Sequence, residues 1–282
     1  MGKVNGHIIG RILKETVRRA TTAIQSERLI FDAKAKEGYT GNMDDVFTSA
    51  DTKAQEIYLR AFTECFPEYG VIGEEGSLVI QPKRKNGPYF TVDSLDGTKA
   101  FVRRQSHGVG TMVALVHGKK VISAYVGDIN TNEVYGFRPD SDTVHRITQL
   151  DTVETLKVEP DTHPKKKYAL LRNPLAKYSA GAQGLVGQFK DHEVIGSSIG
   201  TWMAMLWKRE VGALFLGPGI ETPWDSTPII GISKKLGYLF LRPDVKGGSN
   251  WDLFDPPLPK EAFHRNHEMM VIHGRDLEHL KW

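Results

Sequence analysis

The stretch YFTVDSLDGTKAF, residues 89–101, places two carboxylates and a glycine between an apolar run and a predicted helix. The run Tyr89–Val92 follows glycine and proline, which is typical of a short β-strand. Two residues separate Asp93 from Asp96, so a turn can direct both side chains toward one site. Gly97 allows the backbone to approach a ligand closely, and Thr98 is a suitable N-cap. We therefore predict a strand, a turn that carries two acids, and a helix.

The residues on either side of this stretch predict an antiparallel first half of the chain. Downstream, turn signals separate three apolar runs, which favours a meander over β-α-β units. These runs are Gly110–Val116, Val121–Val126 and Val134–Arg138. Upstream, apolar residues at helical spacing predict helices over residues 8–30 and from Ser49 to Phe66. The polar residues 31–46 between them predict a mobile loop.

The residues after a lysine-rich linker at 159–167 alternate between strand and helix patterns. Strands are predicted at Tyr168–Arg172, Glu193–Ile195, Ala213–Leu216 and Met269–His273, and helices at Leu175–Phe189, Ile199–Lys208 and Thr227–Leu236. We therefore predict a mixed α+β and α/β fold. Residues 1–158 form its N-terminal α+β half and residues 159–282 its C-terminal α/β half, within a single compact unit.

The composition limits the functional classes of this chain of 282 residues. Its 37 Lys and Arg against 34 Asp and Glu leave a net charge of +3, so nucleic acid is not expected as the main partner. The basic clusters at 83–85 and 165–167 are expected to be solvated loops, with contact to nucleic acid or an acidic partner as the alternative. The single cysteine, Cys65, excludes an internal disulfide and is expected to be a buried structural thiol. Because no membrane span or signal segment is visible, we expect a cytoplasmic protein with no membrane partner.

Carboxylates recur at three further places that suit a metal site. Glu74 follows a short apolar run, Asp225 precedes an apolar helix, and Asp51 lies near the start of a helix. Together with Asp93 and Asp96, they would repel one another and raise one another's pKa unless cations bind among them. Donor sets made of oxygen alone suit Mg²⁺, and the histidines lack the spacing of a zinc site. The pattern predicts a magnesium site beside a helix start that can bind phosphate.

Three motifs together resemble the inositol monophosphatase family of magnesium-dependent, lithium-sensitive phosphatases. They are Gly73-Glu74-Glu75, Asp93-Ser94-Leu95-Asp96-Gly97-Thr98 and Trp224-Asp225, in the family's order. The resemblance implies a layered αβαβα sandwich that hydrolyses a small-molecule phosphate monoester with two or three Mg²⁺ ions. It also implies a homodimer.

The resemblance assigns a role to each matching residue. The metal ligands would be Glu74, Asp93, the Leu95 carbonyl, Asp96 and Asp225. Thr98, hydrogen-bonded to Asp51, would orient and help deprotonate the attacking water, and Glu74 would also help to hold a third, loosely bound ion. Phosphate or substrate would contact Gly97, Thr98, Gly196, Ser197 and Glu221.

Departures from the family pattern leave the substrate open. The acidic residue that contacts inositol in inositol monophosphatases has no counterpart at its usual spacing, because that stretch reads Gly217-Pro218-Gly219 and Glu221 is displaced. Lys99 and Pro228 are more like 3′(2′),5′-bisphosphate nucleotidases. The alternatives are therefore an inositol phosphate, a bisphosphate nucleotide, histidinol phosphate and a sugar phosphate. A regulatory protein that binds RNA or protein with little catalysis is the alternative from another class.

Overall fold

The computed structural model describes residues 5–38, 43, 45–157, 163–244 and 250–281. The helices among these residues are α1 Gly6–Glu27, α2 Ser49–Cys65, α3 Thr98–Val102, α4 Ala180–Val186, α5 Ile199–Trp207, α6 Pro223–Lys235 and α7 Gly274–Leu277. None of these described helices combines the length and the apolar run that a membrane span needs. The predicted boundary between the two halves, at residues 158 and 159, lies outside the described residues.

The strands of the first half form a hairpin and an eight-stranded sheet. They are β1 Ala33–Lys36, β2 Asp45–Thr48, β3 Gly70–Gly73, β4 Val79–Ile80, β5 Tyr89–Asp96, β6 Gly110–His117, β7 Lys120–Asp128, β8 Glu133–Phe137, β9 His145–Ile147 and β10 Val153–Thr155. The hairpin joins β1 to β2, and the sheet has the order β10-β9-β8-β7-β6-β5-β3-β4. All neighbours from β5 to β10 are antiparallel, so the predicted meander is confirmed.

The strands of the second half form a six-stranded sheet and a two-stranded sheet. They are β11 Tyr168–Leu171, β12 Asp191–Val194, β13 Ala213–Leu216, β14 Gly219–Glu221, β15 Tyr238–Pro243, β16 Trp251–Phe254, β17 Phe263–Arg265 and β18 Met269–His273. The sheet has the order β12-β11-β13-β18-β15-β16, and β14 pairs with β17. Because β11 runs parallel to both β12 and β13, the residues that follow these three strands meet at one edge of the sheet.

Alternating side chains connect the sheets to the helices in five layers. In β13, Leu214 and Leu216 pack in the cluster that holds α5 and α6, whereas Ala213 and Phe215 pack with α4. Helices α1 and α2 cover the other face of the eight-stranded sheet. Helices α5 and α6 thus lie between the two sheets, with α1 and α2 on one outside and α4 on the other. This arrangement confirms the predicted αβαβα sandwich.

Three local predictions are wrong, and each error has a physical cause. Residues 31–46 are not a plain loop, because β1 and β2 pair with Lys36 opposite Asp45. Cys65 is exposed, because the next residue, Phe66, turns inward and packs on Phe90. Helix α6 begins at Pro223, four residues before the predicted Thr227, because Thr222 caps it. Its first turn therefore includes Asp225.

Candidate active site

Three carboxylates meet where β5 and α6 approach each other. Asp93 and Asp96 are buried on β5, and the half-buried Asp225 lies in the first turn of α6. One oxygen from each carboxylate lies within 4.8 Å of the others. A regular strand would direct Asp93 and Asp96, three positions apart, to opposite faces, but the register of β5 shifts between them. This irregularity therefore allows both side chains to face one site.

The N-terminus of α5 holds the carboxylate of Asp96. Its Oδ2 atom accepts hydrogen bonds from Ser198 Oγ at 2.5 Å and Gly200 N at 2.7 Å, and its Oδ1 atom accepts one from Ile199 N at 3.1 Å. These donors favour the ionised form of Asp96. Ser198, which the sequence analysis did not include among the site residues, therefore positions a predicted metal ligand.

Burial and mutual repulsion raise the pKa values of the three acids. Burial is the largest cause at Asp93, followed by the negative charge of Glu74 and Asp96. Burial and the charge of Asp225 raise the pKa of Asp96 to about 7, against the hydrogen bonds from α5. Burial also raises the pKa of Asp225. A hard cation would remove this repulsion, and the donors are oxygen atoms only, so the residues fit Mg²⁺.

Glu74, at the end of β3, is paired with Lys36, which the sequence analysis did not identify. Lys36 Nζ lies 3.0 Å from Glu74 Oε1, 2.8 Å from Glu75 Oε1 and 3.8 Å from Asp45 Oδ2. Burial raises the pKa of Glu74 to about 8, although Lys36 opposes the rise. Burial alone would lower the pKa of Lys36, but the two glutamates outweigh it and raise that pKa. No local signal marks Lys36, because only the β1–β2 hairpin brings it to the site.

The hydroxyl of Thr98 connects the cavity to a buried aspartate. Thr98 Oγ1 lies 3.0 Å from the Leu95 carbonyl oxygen and 3.3 Å from Asp51 Oδ1. The other oxygen of Asp51 accepts hydrogen bonds from the backbone N–H and the hydroxyl of Thr48, at 2.8 and 2.5 Å. Burial raises the pKa of Asp51 to about 6, although the bonds from Thr48 oppose the rise. The Thr98 hydroxyl thus links the cavity to a buried carboxylate that can accept a proton near neutral pH.

Gly97 packs directly against the wall formed by Gly196 and Ser197. It has φ +90°, and a Cβ atom there would lie 2.3 Å from the carbonyl oxygen of Gly108. That same carbonyl accepts hydrogen bonds from the Ser197 hydroxyl and from Ser198 N, the latter at 3.2 Å. Both the backbone angle and the close contact therefore require glycine at position 97.

A cavity of about 520 Å³ contains most of the predicted site residues. Its lining includes Glu74, Asp93, Leu95, Asp96, Gly97, Thr98, Gly196, Ser197 and Asp225. Trp224, from the Trp224-Asp225 motif, also lines the cavity, together with residues that were not predicted to belong to the site, among them Asp45, Arg103, His107, Arg172 and Val194. One feature of the sequence could have identified Arg172. It ends a predicted strand, and the ends of neighbouring parallel strands meet at one edge of a sheet.

The structure does not bring Glu221 into this cavity. Arg265 Nε donates to Glu221 Oε1 at 2.8 Å, and the Ser226 hydroxyl donates to Glu221 Oε2 at 2.5 Å. Arg265 is buried on β17, which pairs with the strand that carries Glu221. Arg265 and Ser226 thus engage both oxygens of Glu221 outside the cavity lining, although its negative charge still raises the pKa of Asp225, and the contact between Glu221 and substrate stays a prediction.

Comparisons with known proteins agree with this fold. A family model described as the inositol monophosphatase family matches residues 9–249. The chain is 34% identical over 92 residues to the Nus factor SuhB of Vibrio cholerae, which covers 33% of each chain. It is 26% identical over 112 residues to the 3′(2′),5′-bisphosphate nucleotidase CysQ of Salmonella typhimurium, which covers 39% of this chain and 46% of that protein. These matches thus span less than half the length of either relative.

A solved structure extends the likeness to nearly the whole chain. The extragenic suppressor protein suhB of Bartonella henselae superposes with a TM-score of 0.71 at 15% identity and covers 95% of each chain. At this identity the comparison establishes the fold.

Proposed function

Because the chain belongs to the inositol monophosphatase family, we propose that it is a magnesium-dependent phosphomonoesterase that acts on a small phosphorylated metabolite. The observation that carries this proposal is the cluster of Asp93, Asp96 and Asp225, whose oxygens lie within 4.8 Å of one another beside the Thr98–Asp51 pair. Three buried acids this close repel one another, so the cluster would only destabilise the fold if it had no bound cation.

The metal-binding part of the proposal assigns the ligands. Two or three Mg²⁺ ions would be held by Glu74, Asp93, the Leu95 carbonyl, Asp96 and Asp225. Bound Mg²⁺ would neutralise charge on the phosphoryl group and acidify the attacking water.

The protein's own contribution to the chemistry is to hold and accept a proton. The Thr98 hydroxyl donates to Asp51 and thereby turns an oxygen lone pair toward a water in the cavity. A proton released by that water moves toward Asp51, whose pKa of about 6 leaves it mostly ionised at neutral pH. Activity should therefore fall below about pH 6 as Asp51 becomes protonated. The backbone at Gly97 and Thr98 lines the same cavity and is proposed to bind phosphate oxygens.

The experiment that tests this function is a phosphate-release assay on the purified protein. The substrates are an inositol phosphate, a bisphosphate nucleotide, histidinol phosphate and a sugar phosphate, each without metal, with Mg²⁺, with Mg²⁺ plus Li⁺, and with Mg²⁺ plus Ca²⁺. We expect release that requires Mg²⁺ and is inhibited by Li⁺ and Ca²⁺. Selectivity is the ratio of kcat/KM values. Absence of Mg²⁺-dependent release from all four classes would overturn the proposal.

The regulatory alternative has one observation in its favour, since two similar proteins are named Nus factor SuhB. Against it, every expected carboxylate is present and three of them converge, so we place catalysis first. Salt-dependent binding of RNA by a protein without phosphatase activity would reverse this order.

Two further parts of the proposal concern the assembly and the compartment. We propose a homodimer, on the family resemblance, and a cytoplasmic location, because the single cysteine, Cys65, needs no oxidising environment. Light scattering on the purified protein tests the first, and a monomer across micromolar concentrations would contradict it. Cell fractionation tests the second.

A further inference from the structure

Basic side chains line the cavity together with the acids. Lys99, Arg103, His107 and Arg172 are all exposed and all belong to its lining. Lys99 Nζ lies 3.9 Å from Asp45 Oδ1, but neither arginine has a carboxylate oxygen within 4.0 Å in the part of the chain that the structure describes. Both guanidinium groups are therefore available to a ligand in the cavity.

The fold holds Arg172 beside the proposed substrate wall. Its backbone N–H donates to Phe215 O at 3.1 Å, and Ile195 N donates to Leu171 O at 3.0 Å, which fixes the residue after β11 next to the residue after β12. The guanidinium carbon lies 6.0 Å from the centre of the Trp202 ring, which is only 3% exposed. An arginine held against an aromatic ring keeps its N–H donors free for a bidentate anion.

Arg103 reaches the same cavity from the other sheet. It follows α3, where its N–H donates to Lys99 O at 3.2 Å. The segment that continues from it ends at Gly108, whose carbonyl is bonded to Ser197 and Ser198. The two arginines are thus carried by segments that both contact the wall at 195–198.

The charges of the cavity distinguish two ligand groups. The carboxylates suit metal ions and, through them, the scissile phosphate. The positive charge of Arg172 reaches Asp225, where it opposes the rise in that pKa, but a guanidinium group cannot ligate a cation and instead matches the geometry of a phosphate or carboxylate. A cavity of about 520 Å³ is large enough for a metabolite that spans both parts.

We infer that the substrate carries a second anionic group, a phosphate or a carboxylate, and that Arg172 and Arg103 bind it apart from the phosphate that is hydrolysed. This inference rests on the proposed function and narrows its substrate class. It disfavours metabolites whose only charge is the scissile phosphate.

The test uses substrate pairs that differ by one anionic group. Adenosine 3′-phosphate is compared with adenosine 3′,5′-bisphosphate, and glycerol 3-phosphate with 3-phosphoglycerate, as kcat/KM with Mg²⁺. We expect the doubly anionic member of at least one pair to be preferred about tenfold or more, and the preferred pair identifies phosphate or carboxylate as the second group. Arg172→Ala should reduce that preference about tenfold, and Arg172→Lys should retain part of it, because the charge remains without the fork.

Arg242→Ala is the matched control, since Arg242 also lies over an aromatic ring, 5.0 Å from the centre of Phe254, but outside the cavity. It should leave the preference unchanged. Equal kcat/KM for both members of both pairs, or an Arg172→Ala variant with the wild-type preference, would overturn the inference and leave the phosphatase proposal standing. No Mg²⁺-dependent release from any of the four compounds would also overturn the inference, whereas the phosphatase proposal falls only if the four substrate classes of the first assay release no phosphate either.

Discussion

Replacing Asp93 by asparagine should stabilise the metal-free protein while removing its response to Mg²⁺. The oxygens of Asp93, Asp96 and Asp225 lie within 4.8 Å of one another. At that distance and an effective dielectric constant of about 20, two like charges repel by about 3 kcal/mol. Partial protonation already relieves part of this repulsion, so we expect Asp93→Asn to raise the free energy of unfolding by about 1–3 kcal/mol. Asparagine keeps the oxygen that accepts from Leu95 N at 3.0 Å, so the local turn is retained.

Thermal unfolding in EDTA and in Mg²⁺ measures both effects. For a chain of this size, about 1–3 kcal/mol corresponds to a Tm about 2–12 °C higher in EDTA. Mg²⁺ at a hundred times its Kd should stabilise the wild type by about 3 kcal/mol and the variant by far less. Phosphate release by the variant should fall by several orders of magnitude. The control is Asp252→Asn, because Asp252 is an exposed aspartate on β16 outside the cavity. This variant should keep the wild-type Tm in EDTA, the stabilisation by Mg²⁺ and the rate of phosphate release.

The dependence of stability on pH gives an independent check. Because the folded state raises the pKa of Asp96 to about 7 and of Glu74 to about 8, it retains protons that the unfolded chain releases. These groups therefore make the metal-free wild type less stable as the pH rises from about 4 to about 8. The decline should be smaller in Asp93→Asn, since the pKa of Asp93 is also raised well above its ordinary value. A variant that is less stable than wild type in EDTA, or that Mg²⁺ stabilises equally, would refute this reasoning.

Three other substitutions test the parts of the site separately. Thr98→Ala should lower kcat about a hundredfold or more, whereas Thr98→Ser should retain most of the activity because it keeps the hydroxyl. An equal loss of kcat in both variants would show that the hydroxyl has no role in catalysis. Gly97→Ala should lower the Tm by about 4–8 °C, from a strained φ of +90° and a Cβ atom 2.3 Å from Gly108 O, and an unchanged melting curve would contradict this. Ser198→Ala should weaken Mg²⁺ binding about tenfold or more, measured by titrating thermal stability, because Asp96 loses a donor at 2.5 Å; unaltered Mg²⁺ affinity would show that the bond is dispensable.

The carboxylates that are proposed as metal ligands could be identified from the sequence because each lies in a local motif that resembles the family's. Periodicity predicted the mixed order of helices and strands, whereas the αβαβα layers were implied by the resemblance to the family. Local patterns were less accurate at element ends. The N-cap of α6 is an example, because Thr222 Oγ1 accepts from Asp225 N at 3.1 Å and starts the helix earlier than its apolar pattern does.

The sequence by itself determined which carboxylates are proposed to bind metal, since each lies in a short motif, and the spacing of apolar residues determined the mixed α and β pattern. Only the tertiary structure decided the partners of those motifs. Lys36 lies 38 positions from Glu74, and Arg265 lies 44 positions from Glu221. Strand pairing and hairpin packing bring such side chains together, and no local pattern encodes the result. The same reason explains Arg172, whose place at the cavity depends on the parallel register of β11 and β12.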